Sequence, residues 1–253
     1  MKIRTMQSFI SSNEDPEILF WVGCAGSYDE RYKKVTKAFV NILNKLKVDF
    51  AILGDEEGCT GDPARRSGNE YLFQMQAVNN ISTLNKYNIK RIVTLCPHCF
   101  NTIKNEYPAL GGNYEVVHHS QLLNEFIKEG KIISEKINKK ISYHDSCYLG
   151  RGNNIYDDPR TIINKLGYKM IEMKRSKRKS FCCGAGGAQM FKEPEKGNQD
   201  ININRTNEAL SLSPDIIATG CPFCNTMITD GVKNINEGSA VVKDLAELIS
   251  ENI

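Results

Sequence analysis

Ile92-Val93-Thr94-Leu95 runs directly into Cys96-Pro97-His98-Cys99, and Ile216-Ile217-Ala218-Thr219 leads through Gly220 into Cys221-Pro222-Phe223-Cys224. Each is a short apolar run that ends on a Cys-x-x-Cys pair at the start of a helix. A run of this length bounded by turn residues reads as a buried strand. Asn101-Thr102 follows the first pair and Asn225-Thr226 the second, so the likeness extends past the cysteines.

Working outward, the same order recurs on both sides. Ile18-Leu19-Phe20-Trp21-Val22 is a strand that ends at Gly23-Cys24, and Arg31 to Leu46 is a helix with Val35, Phe39, Ile42, Leu43 and Leu46 on one face. Phe50-Ala51-Ile52-Leu53 is a second strand, running into the Gly-rich turn that holds Cys59, and Glu70 to Tyr87 is the next helix. In the second half Ile141-Ser142-Tyr143-His144 leads to Cys147, Pro159 to Leu166 is helical, and Cys182-Cys183 follows. Cys24 to Cys147 and Cys59 to Cys182 are both offsets of 123; Cys96 to Cys221 and Cys99 to Cys224 are both 125. Chance spacing explains this poorly. Strands alternating with helices predict an α/β chain of two tandem pseudo-symmetric Rossmann-like units with parallel sheets and right-handed crossovers. His118-His119 orders a strand end, the helix Gln121 to Lys128 closes the first unit, and Lys131 to Lys140 is a lysine-rich connector. The expected domains are residues 1–136, after a short N-terminal tail, and 137–253.

A length of 253 residues allows one large domain or two medium ones. The net charge of +3 is too small to argue for nucleic acid, and no stretch approaches 18 uninterrupted apolar residues, so no direct membrane span is expected. The N-terminus lacks the apolar core of a secretory signal, which makes the cytoplasm the expected compartment. Cysteine clusters in a reducing compartment bind metal or do catalysis more often than they form disulfides. Nine cysteines also fit a paired framework poorly.

In parallel α/β sheets ligands gather beyond the carboxyl ends of the strands. Each cysteine here follows a strand or sits in a loop after one, so distant cysteines can converge on one site per half. A thioredoxin-like redox pair needs only Cys-x-x-Cys and leaves the upstream cysteines unexplained. Zinc is satisfied by four thiolates, which Cys24, Cys59, Cys96 and Cys99 supply. An iron–sulfur cluster uses soft thiolates and more than one iron, so it gives the fifth cysteine of Cys147, Cys182, Cys183, Cys221 and Cys224 something to bind. The vicinal pair Cys182-Cys183 needs an unusual backbone, which Gly184-Ala185-Gly186-Gly187 permits. Its counterpart is Cys59-Thr60-Gly61, and threonine is a poor ligand. The two sites are expected to hold different species, or the first to be the simpler. Gly184 to Gly187 lacks the Lys-Ser/Thr ending of a phosphate-binding loop.

Several further residues are candidates. His144 stands where it could donate protons at the site, or is a satisfied strand-end side chain. His98 is a ligand or only the variable residue of its Cys-x-x-Cys. Lys174-Arg175-Ser176-Lys177-Arg178-Lys179 is either a solvated face or a steering patch for an acidic partner. Arg65, Arg66, Arg151 and Arg160 raise a cluster's potential or pair with Asp62, Asp145 or Asp157.

The pattern Cys147, then Cys182-Cys183-Gly184, then Cys221-Pro222-Phe223-Cys224 resembles the duplicated cysteine-rich (CCG) domain of heterodisulfide reductases and related proteins, over nearly the whole chain. Tyr143-His144-Asp145-Ser146-Cys147-Tyr148-Leu149-Gly150-Arg151 is similar to that family's segment at the first ligand, with Ser146 where proline is usual. The stretch from Glu57 to Tyr71 resembles one branch, the iron–sulfur oxidoreductases that pass electrons between electron-transfer flavoprotein and quinone. Thr60 then looks like a trait of the branch.

The resemblance implies a noncubane 4Fe–4S cluster on Cys147, Cys182, Cys183, Cys221 and Cys224; with the position of His144 three residues before Cys147, the candidate catalytic residues are Cys182, Cys183 and His144. The four thiolates of the first half, Cys24, Cys59, Cys96 and Cys99, are expected to hold a second iron–sulfur cluster or zinc. The expected function is that of an iron–sulfur oxidoreductase subunit, performing disulfide/thiol chemistry or electron transfer; the alternative is a non-catalytic relay or zinc-stabilised assembly subunit. Members of the branch usually add a membrane segment and a ferredoxin-like domain. Those parts are expected on partners, a ferredoxin-like or flavoprotein subunit and a membrane quinone-reactive subunit, through which the chain would reach a membrane, or else the chain is a soluble relative that uses another donor.

Overall fold

Ile18–Trp21 forms a strand with all four side chains buried, as in a sheet covered on both faces. The computed structural model describes residues 3–133, 137–193 and 196–253. The chain divides into two compact units, residues 1–122 and 123–253. The expected boundary at residue 136 lies outside the described residues.

The first unit runs β1 (Arg4–Thr5), α1 (Met6–Ser11), β2 (Ile18–Trp21), α2 (Gly23–Tyr28), α3 (Tyr32–Lys45), β3 (Phe50–Ile52), α4 (Asp62–Arg66), α5 (Glu70–Lys86), β4 (Arg91–Thr94), α6 (Pro97–Asn101) and β5 (Glu115–His118). The division between units falls within α7 (His119–Lys128). The second unit continues with β6 (Lys140–Tyr143), α8 (Asp157–Lys165), β7 (Lys169–Met170), α9 (Ile201–Leu210), β8 (Ile216–Thr219), α10 (Pro222–Asn236), β9 (Val241–Asp244) and α11 (Leu245–Ser250). Two parallel sheets result, ordered β1-β3-β2-β4-β5 and β7-β6-β8-β9. The expected α/β architecture is present in both halves.

Apart from β1 the two sheets have one order, and the repeat extends to register. Leu19 pairs with Ile92 and Phe20 with Val93 in the first sheet. Ser142 pairs with Ile217 and Tyr143 with Ala218 in the second, which are the same positions after the 123 and 125 offsets. On α3 the side chains of Val35, Phe39, Ile42 and Leu43 are buried as the periodicity predicts, and the Phe39 ring meets Phe20 edge-on at 5.1 Å. Each such side chain contributes about 1.5–3 kcal/mol through burial.

After β2 the chain crosses to β3 on one side; after β4 it crosses to β5 on the other. The order therefore reverses between β2 and β4, and likewise between β6 and β8. Such a switch point leaves a crevice beyond the carboxyl ends of the two strands, where ligands of open α/β sheets bind. The sequences that follow those four strands contain Cys24, Cys96, Cys147 and Cys221. The helices after the Cys-x-x-Cys pairs differ. α10 is continuous, whereas α6 passes into a π turn over Thr102–Glu106 and a 3-10 turn over Tyr107–Leu110. Pro108 has no amide hydrogen with which to continue a helix. Among the described residues no helix is long and apolar enough to cross a membrane.

Candidate functional site

In the second unit five sulfurs from three separate stretches form one contiguous series. Cys147 follows β6, and its thiol hydrogen-bonds Cys182. Cys182 contacts Cys183, Cys183 lies 3.4 Å from Cys224, Sγ to Sγ, and Cys224 contacts Cys221. Cys183, Cys221 and Cys224 are buried, and Cys147 and Cys182 are half-buried. The vicinal pair fits because Gly184 adopts a left-handed φ of +94°, open to glycine at little cost. The Gly184 amide then donates to Cys182 Sγ at 3.3 Å.

These bonds set which thiol ionises. Hydrogen bonds from Cys147 and Cys183, with the Gly184 amide adding, hold Cys182 far below the usual thiol range. Cys147 is pushed up by its bond to Cys182 and by burial, and Cys183 is pushed up by Cys182.

Two buried networks hold the loops. Asp145, two residues before Cys147, accepts from Arg160 Nη1 at 2.7 Å and Nη2 at 2.9 Å, and from the Lys177 amide at 2.7 Å. Ser180 Oγ donates to the Asp145 carbonyl at 3.1 Å, and Arg151 donates to the Ser180 carbonyl. Of the pairings open in the sequence, Arg160 thus takes Asp145, together with Glu172. Arg205, which no motif had singled out, is fully buried on α9. Its Nε donates to His144 Nδ1 at 2.9 Å, and its Nη1 reaches Glu208 and the Arg175 carbonyl. Because Arg205 always donates, His144 carries its hydrogen on Nε2. Burial, then the Arg205 charge, pushes His144 down to about 3, so the ring stays neutral. One of its nitrogens shares a 4.8 Å neighbourhood with the sulfurs of Cys183 and Cys224.

The donor set is soft sulfur throughout, which suits iron–sulfur or zinc over hard cations. Ser146 Oγ, next to Cys147 in the chain, and Nη2 of Arg205, whose Nε holds His144, are buried with no hydrogen-bond partner. Both observations fit an anionic, sulfur-ligated group, and a fifth sulfur exceeds what one tetrahedral ion uses.

The first unit repeats the plan with one sulfur fewer. Cys24 bonds Cys59, and Cys96 bonds Cys99. Gly61, at φ +91°, donates to Cys59 Sγ at 3.5 Å. The hydrogen bond from Cys24, with this amide, pulls Cys59 down to about 6, so the same repeat position is the acidic thiol in both units. Thr60 donates to Cys99 Sγ at 3.7 Å. Half-buried Glu57 accepts from the amides of Val22 at 3.0 Å and Gly23 at 2.6 Å, and desolvation pushes it up to about 7. His98 Nδ1 lies 2.8 Å from buried Asp62. Arg66 pairs with Asp62, and both Arg65 and Arg66 pair with Glu106. His118, at the end of β5, bonds Ser120 and the Leu95 carbonyl.

The surroundings of the two Cys-x-Gly loops differ. A cavity of about 750 Å³ opens at Gly184, with Met190, Met227, Ile201 and Asn202 among its lining. At Gly61 a Cβ would fall 2.8 Å from the Phe73 ring. There Asn80 donates to the Cys59 carbonyl at 2.8 Å and Tyr107 to the Thr60 carbonyl at 3.1 Å.

Residues 18–104 and 141–229 each match the family described as the cysteine-rich domain, CCG. Over 241 residues the chain is 47% identical to an EtfAB:quinone oxidoreductase of Syntrophomonas wolfei, covering 92% of this chain and 34% of that one. It is 45% identical to a probable iron–sulfur-binding oxidoreductase, FadF, of Bacillus subtilis, covering 100% and 36%. It is 34% identical to one of the subunits of the dihydromethanophenazine:CoB–CoM heterodisulfide reductase of Methanosarcina barkeri, covering 96% and 60%. The chain therefore spans about a third of the length of the first two relatives. Two copies of one domain, each bringing its cysteines to a switch point, place the chain in the cysteine-rich (CCG) domain family.

Proposed function

We propose that this chain is the iron–sulfur part of an oxidoreductase, with its reactive centre in the second unit. The observation that carries the reading is the series Cys147–Cys182–Cys183–Cys224–Cys221 at the crevice between β6 and β8. These five residues would hold a 4Fe–4S cluster of the noncubane type, and a bound cluster supplies one-electron transfer at thiolate-ligated iron. The chain's own residues do the rest. Gly184 and the neighbouring thiols favour the Cys182 thiolate. His144 offers an Nε2 hydrogen from a ring fixed by Arg205, which makes it a hydrogen-bond donor near Cys183 and Cys224. Asp145 and Arg160 hold the Cys147 and Cys182 segments together.

Relatives named as a quinone oxidoreductase and a heterodisulfide reductase support two uses of such a centre: electron relay and disulfide/thiol conversion. A ferredoxin-like or flavoprotein subunit would exchange electrons with it, and a membrane quinone-reactive partner would complete the first use. In the first unit Cys24, Cys59, Cys96 and Cys99 would hold a second cluster or zinc. Anaerobic reconstitution with iron, sulfide and EPR analysis tests the centre; binding of zinc alone would refute it. Disulfide turnover with an artificial reductant separates the two uses. Turnover by the unaltered chain that is lost together with the cluster in Cys183→Ser supports catalysis at this centre, and no turnover in the unaltered chain supports a relay.

A further inference from the structure

Cys183 and Thr60 occupy one repeat position, and each side chain faces the last cysteine of its own unit. Cys183 Sγ is 3.4 Å from Cys224 Sγ, and Thr60 Oγ1 is 3.7 Å from Cys99 Sγ. The backbone beneath them is alike: Gly61 and Gly184 have φ of +91° and +94°, and their amides meet Cys59 and Cys182 sulfurs at 3.5 and 3.3 Å. Thr60 is 2% exposed. Asn80 and Tyr107 fix the carbonyls of Cys59 and Thr60, so the hydroxyl is held on Cys99. A neutral hydroxyl is a weak ligand for a soft metal but a good donor to a thiolate.

We propose that Thr60 is the positioning hydroxyl of a four-thiolate metal site in the first unit: it fills the place of the fifth sulfur and donates its hydrogen to the Cys99 sulfur. The proposal rests on the reading that Cys24, Cys59, Cys96 and Cys99 bind a metal. Hydrogen bonds to ligating sulfurs tune a site. A donor lowers the energy of the sulfur lone pair, so it moves sulfur-to-metal charge transfer to higher energy and raises the potential of a redox-active metal.

Thr60→Val keeps the branched shape and removes the donor, whereas Thr60→Ser keeps the donor. Both are compared with the unaltered full chain purified without oxygen. Difference absorption spectra isolate the first site, after exchange of cobalt for zinc where zinc is found. The expected result is unchanged metal content in both, a charge-transfer band shifted to lower energy in Thr60→Val, and an unshifted band in Thr60→Ser. Metal retained with an unshifted band in Thr60→Val overturns the proposal alone. Cys96→Ser provides the separate control: if it leaves the metal content unchanged, the first unit holds none, and the underlying reading falls with the proposal. Thr60→Cys tests the equivalence even if the valine variant misfolds. It is expected to convert the first-site spectrum to that of the second unit. An introduced thiol that alkylates freely while the metal content stays the same overturns the equivalence.

Discussion

The two units share strand order and register yet surround their cysteines in opposite ways. The Cys59-Thr60-Gly61 loop is closed in by Phe73, Asn80 and Tyr107. The Cys182-Cys183-Gly184 loop borders an open cavity. Residues 62–69 separate Gly61 from α5, whereas 185–200 separate Gly184 from α9, and Gln189, Met190 and Lys192 of this longer connection line the cavity. The carboxylate that ties the loops together has also changed sides. Glu57 reaches the amides of Val22 and Gly23. In the second unit the counterpart of Glu57 is Ser180 and that of Val22 is Asp145, so the acid stands on the other strand and recruits Arg160. One scaffold thus carries a four-sulfur site behind a tightly packed loop and a five-sulfur site whose loop borders a cavity, each with two half-buried cysteines. The loops beyond the strands decide the chemistry, and the sheet only places them.

The largest expected effect separates the two repeats outright. Cys183→Ser should strip the second unit of its iron and EPR signal, while Thr60→Ser at the matching position should leave metal content unchanged. Equal losses would erase the distinction. The next contrast is in stability. Arg160→Met leaves Asp145 a buried, largely unpaired charge and should cost about 3–5 kcal/mol in urea unfolding. Glu57→Ala frees two amides in the first unit and should cost about 1–3 kcal/mol.

Smaller effects refine the picture. Gly61→Ala and Gly184→Ala both force alanine to positive φ, at about 1–2 kcal/mol each. The first should cost more, because the added Cβ meets the Phe73 ring and backbone, whereas the nearest atom at Gly184 is 3.2 Å away. Equal melting temperatures would deny the tighter packing. Least of all, reversing the exposed charges of Lys177, Arg178 and Lys179 should change stability by under about 0.5 kcal/mol per residue. It should nevertheless flatten the salt dependence of electron exchange with an acidic redox protein. An unaltered salt dependence removes this face from docking.

Much of the fold was legible because the motifs themselves repeat. The offsets of 123 and 125, read on the cysteines, turn out to relate strand register as well, since both follow from one chain path used twice. The short elements β1, β7 and α11 gave too little periodicity to read. The convergence of all five second-unit thiols was legible from Cys-x-x-Cys and the vicinal pair. Arg205 was not, because nothing in Asn204-Arg205-Thr206 marks a helix face that turns inward to a histidine from a distant strand. Glu57 was equally hidden in an acidic stretch, Asp55-Glu56-Glu57, that reads as solvated surface. Arg160 was legible as a candidate, but its choice of Asp145 depended on the path of the loop around Lys177.

The central claim is that the second unit holds an iron–sulfur cluster that the first unit's ligand set does not reproduce. Iron, acid-labile sulfide and zinc per chain, measured on protein purified without oxygen beside its Cys183→Ser and Cys96→Ser variants, test it most directly. Cys183→Ser should lose iron and sulfide together, and Cys96→Ser should lose a different metal complement. Zinc as the only bound metal, or identical losses from both variants, would contradict the claim.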